Sequence, residues 1–159
     1  MLHLLIQTGA AAIATVGFSL LFGVPARYYP SCALIGGVSW LAYLLLLPYS
    51  SVSIATFAAT VIVILMSRWF AVRERCPVTI FLISGIIPLV PGAGIYRAAY
   101  YTVTDQLYLA AQTGFDAVKM AVAIVLGIVF VFEIPQRVFL IGNRNTRHPQ
   151  LSNIPDNKK

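Results

Sequence analysis

Five long stretches of this 159-residue chain carry almost no charged side chain, and that pattern is what most constrains its fold. A helix crossing a hydrocarbon layer of roughly 30 Å needs about 20 apolar residues at about 1.5 Å each. The stretches are residues 2–24, 31–47, 52–67, 77–96 and 115–132. Pro25, Arg27, Tyr28, Tyr29 and Pro30 break the first from the second, and Arg68, Trp69, Arg73, Glu74 and Arg75 end the third. Aromatic and basic residues of this kind gather where lipid meets water. Only 10% of the chain is charged and 59% is hydrophobic, whereas a soluble domain carries about 25% charged residues. A chain this short cannot hide so much apolar surface in one aqueous core. The expectation is an all-α, polytopic membrane protein with five transmembrane helices in a domain over residues 1–134. A basic tail, residues 135–159, reads as disordered.

The net charge of +6 does not point to nucleic acid, because the cations flank apolar runs rather than forming a stripe with interleaved aromatics. They set topology instead. With the amino terminus outside, nine of the eleven basic residues fall on the inner side, leaving Arg97 and Lys119 outside, as the excess of cations in cytoplasmic segments requires. Residues 1–7 lack the positive region of a secretory signal, so the first helix is expected to stay uncleaved. Cys32 and Cys76 both fall at inner membrane edges, facing a reducing compartment, which argues against a structural disulfide. Two lone cysteines also make no metal site.

Enzyme chemistry finds no support. The sequence has no HExxH, no phosphate loop with its Lys and no GxSxG. His3 and His148 lie on opposite sides of the membrane in this topology, and Ser84 has no Lys or His at its depth to activate it. No cofactor is implied.

The most informative run is Pro88-Leu89-Val90-Pro91-Gly92-Ala93-Gly94. Pro88 lies eleven residues beyond Pro77, or about 16 Å along a helix, near mid-membrane. Two prolines three apart remove two amide donors, and Gly92 and Gly94 free the backbone. Broken helices at that depth are tolerated where protein or a water-lined cavity covers them, and transporters use them as binding sites. The plain alternative is a proline kink satisfied by neighbouring helices. Tyr96 and Arg97 follow the break. If the chain unwinds there, Arg97 sits deep enough to clamp a substrate carboxylate; in a straight helix it would snorkel to the outer interface. Residues 96–114, mixed in character, read as an extension of the fourth crossing or as an interfacial helix. Asp105, within them, is a candidate for proton coupling or a solvated loop carboxylate. Asp116 and Lys119 are spaced to pair on one helix face, as are Glu133 and Arg137 at the membrane exit. Small residues recur four apart at Ala10/Ala14, Ala33/Gly37, Ala55/Ala59 and Ala117/Ala121, spacing that permits close helix packing in lipid.

The order Val16-Gly17-Phe18-Ser19-Leu20-Leu21-Phe22-Gly23-Val24-Pro25-Ala26-Arg27, then Cys32-Ala33-Leu34-Ile35-Gly36-Gly37, then Ile86-Ile87-Pro88-Leu89-Val90-Pro91-Gly92 before a Tyr-rich segment, resembles the threonine/serine exporter family. The similarity runs over about residues 8–130, and more narrowly it is to the small stand-alone subunit corresponding to the carboxy-terminal half of single-chain exporters. The resemblance implies export of small hydrophilic metabolites across the bacterial inner membrane: threonine or serine in single-chain members, succinate in a split two-subunit branch. It also implies a partner, a larger membrane subunit supplying the amino-terminal half. Gly17, Pro88, Pro91 and Gly92 carry over as motif positions. A rival of another class is a membrane scaffold that transports nothing and only binds or stabilises a partner; it would tolerate loss of the Pro-Gly break.

Overall fold

Apolar runs with no two-residue alternation give helices, and a computed structural model of the chain, which describes residues 2–133, contains only helical elements among them. They are α1 (Leu2–Leu21), a 3-10 turn (Ala26–Tyr28), α2 (Tyr29–Leu46), α3 (Val52–Glu74), α4 (Val78–Ile86), a second 3-10 turn (Ile87–Leu89), α5 (Gly92–Val103) and α6 (Leu107–Phe132). Four spans are long and apolar enough to cross a membrane, namely α1, α2 with its preceding turn, α3 and α6. α4 with its 3-10 turn and α5 are apolar enough only as a pair, bent by 47°, which makes them a broken span or a re-entrant loop. The protein is a polytopic all-α membrane protein. The tail over 135–159 and the pairing of Glu133 with Arg137 lie outside the described residues.

Several helix ends differ from the apolar boundaries, for a common reason: charge marks where lipid ends, not where a helix ends. The third crossing, expected over 52–67, continues as helix to Glu74. Arg is a good helix former, and the buried Arg68 guanidinium donates to the Phe132 carbonyl at 3.4 Å and lies 5.0 Å from that ring. A cation there complements the carboxy-terminal end of α6. The fifth crossing, expected from residue 115, begins at Leu107. The first stops at Leu21 rather than 24, because Gly23 takes φ +69° and the Val24 amide closes on the Ser19 carbonyl at 2.9 Å. Residues 96–114 are divided between two helices. Their first part completes α5, and their last part opens α6.

α2 packs between α1 and α3, while α3 touches α4 and α6. Glycines permit close approaches, among them Gly85, where a Cβ would stand 2.7 Å from Ile35 Cγ2. A Cβ on Gly36 would stand 1.9 Å from Thr15 Oγ1, and one on Gly127 would stand 2.9 Å from Thr60 Cγ2. The core gathers toward the end of the bundle where α2 and α4 begin: Tyr28 meets Phe81 edge-on at 5.6 Å, with Phe70, Ile35, Val63 and Leu89 around them. Hydroxyls also enter this apolar interior. Thr15, Ser19 and Thr60 each donate at 2.8 Å to the carbonyl one turn back, which satisfies them within their own helix without an interhelical partner.

Candidate functional site

The break that organises the site is made by backbone chemistry. Pro88 sits inside the second 3-10 turn, which closes with the Val90 amide on the Ile87 carbonyl at 3.1 Å. Pro91 then takes φ −75° and ψ 50°, and the Gly92 amide folds back on the Val90 carbonyl at 2.7 Å. This is an inverse γ-turn, and helix restarts beyond it. Proline contributes no donor at either point, so the chain changes direction without burying a severed amide at Pro88 or Pro91.

The new helix begins uncapped. Pro91 offers no side-chain cap, its carbonyl accepts from Ile95 at 3.0 Å, and the amides of Ala93 and Gly94 have no partner among the described residues. The amino-terminal end of a helix carries partial positive charge and favours anions. This end opens on a cavity of about 320 Å³ walled by residues 88–94, Trp40, Tyr43, Met120 and Arg97, within the size range of small-molecule sites. Arg97 stands one and a half turns into α5, and helical side chains lean back toward the amino terminus, which lets its guanidinium reach the cavity. It has no anionic partner among the described residues.

Of the residues singled out from sequence, the structure brings Pro88, Pro91, Gly92, Gly94 and Arg97 together on one cavity. Tyr96 points elsewhere and is largely exposed. Asp105 lies at the far tip of the α5–α6 hairpin, exposed, with φ +59°. Sequence reasoning passed over Trp40, Tyr43 and Met120. The signal was present: Trp40 is eleven residues into α2, about 16 Å from its start, deeper than the interfacial belt where Trp and Tyr usually sit.

A second, more polar cavity of about 590 Å³ adjoins the first, with Met120 lining both. Ser50 and Ser51 of the α2–α3 turn and Ser53 in the first turn of α3 line it together with Asp116 and Lys119. These two pair at 2.7 Å, the i,i+3 pair read from spacing. Their place beside that turn fixes the register of α6 against α3. The first turns of α6, from Leu107 to Asp116, therefore project roughly 13 Å past the start of α3. α5 accompanies them, with Gly94 against Ala117 and Gly114 against Ala98.

Both cysteines are free thiols, and no cluster of metal-ligating side chains occurs among the described residues. Burial pushes the Cys76 thiol up from its ordinary range, opposed by a hydrogen bond with Tyr28, so it stays protonated and poorly nucleophilic at neutral pH. At the same end of the bundle Ser31 donates to Glu74 at 3.0 Å, and Arg27 donates to Tyr28.

A family model described as threonine/serine exporter, ThrE, matches residues 7–134. No solved structure matches the chain.

Proposed function

The chain belongs to the threonine/serine exporter family, and we propose that it is one subunit of a secondary exporter carrying threonine- or serine-type amino acids across the bacterial inner membrane. The observation that carries this reading is the meeting, on one cavity, of an unpartnered guanidinium, the unbonded amides of Ala93 and Gly94, and a backbone break near the middle of a span. In lipid such a break is tolerated where it lines a cavity, and transporters aim the amino termini of broken helices at anionic substrate groups. Arg97 and the two amides hold the substrate carboxylate. α5 swings about Pro91 during alternating access, since α5 packs on α6 while α4 packs on α2 and α3.

With nine of eleven basic residues on the inner side, the amino terminus faces outward. The α5–α6 hairpin and the serine-rich cavity then form the release side, and the aromatic core around Tyr28 and Phe81 closes the cytoplasmic side. The larger partner subunit supplies the remaining half of the path, consistent with a chain that presents one cation and no acid to its cavity.

Arg97→Gln tests the reading. Export of threonine and serine from cells expressing the variant is expected to fall by at least tenfold, with the amount of protein in the membrane and its co-purification with the partner unchanged. Normal export by that variant would remove Arg97 from the path. A scaffold, by contrast, would show no change in any solute flux.

A further inference from the structure

The cavity at the break and the serine-rich cavity lie one above the other between α2 and α6. Tyr43 lines the first, and Leu47, whose amide bonds back to the Tyr43 carbonyl at 3.0 Å, lines the second. On α6, Met120 lines the first, while Asp116, one turn toward the amino terminus, lines the second. Each helix thus passes from one cavity to the other within a turn, which places the serine-rich cavity at the end of the bundle where the α2–α3 turn lies. Met120 is the one residue common to both linings among the described residues, so its side chain belongs to the wall they share. It is half-buried, and an unbranched thioether side chain with three rotatable bonds adapts readily to the space around it.

The two cavities differ in what they retain. At the break, Arg97 is the one charged lining residue, and it has no anionic partner among the described residues. In the serine-rich cavity Asp116 and Lys119 neutralise each other at 2.7 Å, Ser50 donates to the Leu46 carbonyl at 2.9 Å, and Ser51 accepts from the Ile54 amide at 3.4 Å. A lone cation holds an anion; a compensated pair and engaged hydroxyls leave a polar lining with no unmet charge, which suits passage rather than retention. A third cavity shares Val90 and Pro91 with the break, but apolar side chains and glycine line it throughout. A charged solute entering it would lose water and gain no polar contact.

We infer that Met120 is the partition between the cavity at the break and its exit vestibule, and that a solute leaving Arg97 passes outward through the space this side chain vacates. This inference rests on the exporter reading and the outward amino terminus proposed above, and extends both. It requires only a small hydrophilic solute that Arg97 can hold, whether that solute carries one carboxylate or two.

The test uses cells that express the full chain with its partner subunit. A membrane-impermeant methanethiosulfonate added outside is expected to label Ser53→Cys in the vestibule and, more slowly, Tyr43→Cys beyond the partition. The parent chain is the blank, because Cys32 is fully buried and Cys76 lies at the opposite end of the bundle. Met120→Ala should speed the labelling of Tyr43→Cys and Met120→Trp should slow it, with Ser53→Cys labelled alike in both. Met120→Leu conserves volume and should keep the parent's rate. Export of threonine and serine should fall by about 5- to 150-fold in Met120→Trp, the usual cost of overfilling a packed site, and stay near the parent's in Met120→Leu. Because Ala and Trp move the labelling in opposite directions, a variant that fails to fold does not imitate the pattern. Equal labelling of Tyr43→Cys in all three backgrounds, or undiminished export by Met120→Trp, overturns the partition and sends the solute out past α5 instead. Ser53→Cys that reacts only in inside-out vesicles overturns the exit assignment. Labelling does not involve the transported solute, so the two readings fail separately. Should labelling follow Met120 while Arg97→Gln exports normally, the carboxylate site falls and the partition stands; should Arg97→Gln abolish export while labelling ignores Met120, only the partition falls.

Discussion

Asp105 and Arg75 hold the left-handed backbone conformation, at φ +59° and +52°, that L-residues adopt at a cost of about 1–2 kcal/mol. Each ends a helix in the same way. Beyond α5 the Gln106 amide closes on the Tyr101 carbonyl at 2.9 Å, and beyond α3 the Cys76 amide closes on Ala71 at 3.1 Å, the bonding of a Schellman motif. Asp tolerates this conformation better than most residues, which gives Asp105 a structural role at the hairpin tip. Arg75→Gly is expected to stabilise the protein by about 1 kcal/mol and Asp105→Val to destabilise it by a similar amount. The order of melting temperatures in detergent, Arg75→Gly above the parent and Asp105→Val below it, checks both. An Asp105→Asn variant that retains the melting temperature and loses export would restore a coupling role. At this scale the sequence was legible where a residue type states its backbone need, as Pro88, Pro91 and Gly92 do. Trp40 and Tyr43 were not legible, because an aromatic in an apolar span reads as core until the structure places it on the cavity that Arg97 also lines.

At the scale of elements, the 47° bend between α4 and α5 is the feature on which the proposed transport turns. Pro91 makes it twice over, by lacking an amide and by centring the turn that joins Val90 to Gly92. Pro91→Ala restores a donor and is expected to let helix run through, which would carry Arg97 off the cavity. Export is expected to drop at least tenfold while the chain still inserts, since continuous helix is stable in lipid; unchanged export would leave the bend as a packing detail. The existence of the break follows directly from two prolines and two glycines within seven residues. Its consequence for the following segment does not. Residues 96–114 hold Arg97, Asp105 and several Thr and Gln, so hydropathy falls there and the apolar boundary is set at 115. The helix nevertheless starts at Leu107, because Gly114 and Ala98 let α5 and α6 approach closely and backbone hydrogen bonds need no apolar side chains. Hydropathy reports the solvent of a helix, and packing and caps decide its ends.

For the whole molecule, the face of α1 turned away from the bundle bears on how the chain assembles. Gly9, Ile13 and Gly17 fall on that face at four-residue spacing, Ile13 is exposed, and a Cβ on either glycine would meet nothing within 4 Å. Gly36, facing inward, is different: its missing Cβ is required by Thr15. Glycine in a helix costs about 1 kcal/mol relative to alanine, and lipid gains nothing from a glycine, whereas a second helix approaching closely does. The occupant expected on this face is a helix of the larger partner subunit. Gly17→Leu should therefore leave the level and melting temperature of the isolated chain unchanged, its side chain entering open space, while co-purification with the partner falls roughly tenfold, equivalent to about 1.4 kcal/mol. Gly36→Leu should do the reverse in order, lowering the melting temperature of the chain itself because α1 and α2 must separate. Co-purification undiminished by Gly17→Leu would mean that lipid covers α1 and that the partner docks elsewhere. Its loss would tie Gly17, a motif glycine whose missing Cβ no contact within this chain requires, to the docking of the proposed partner.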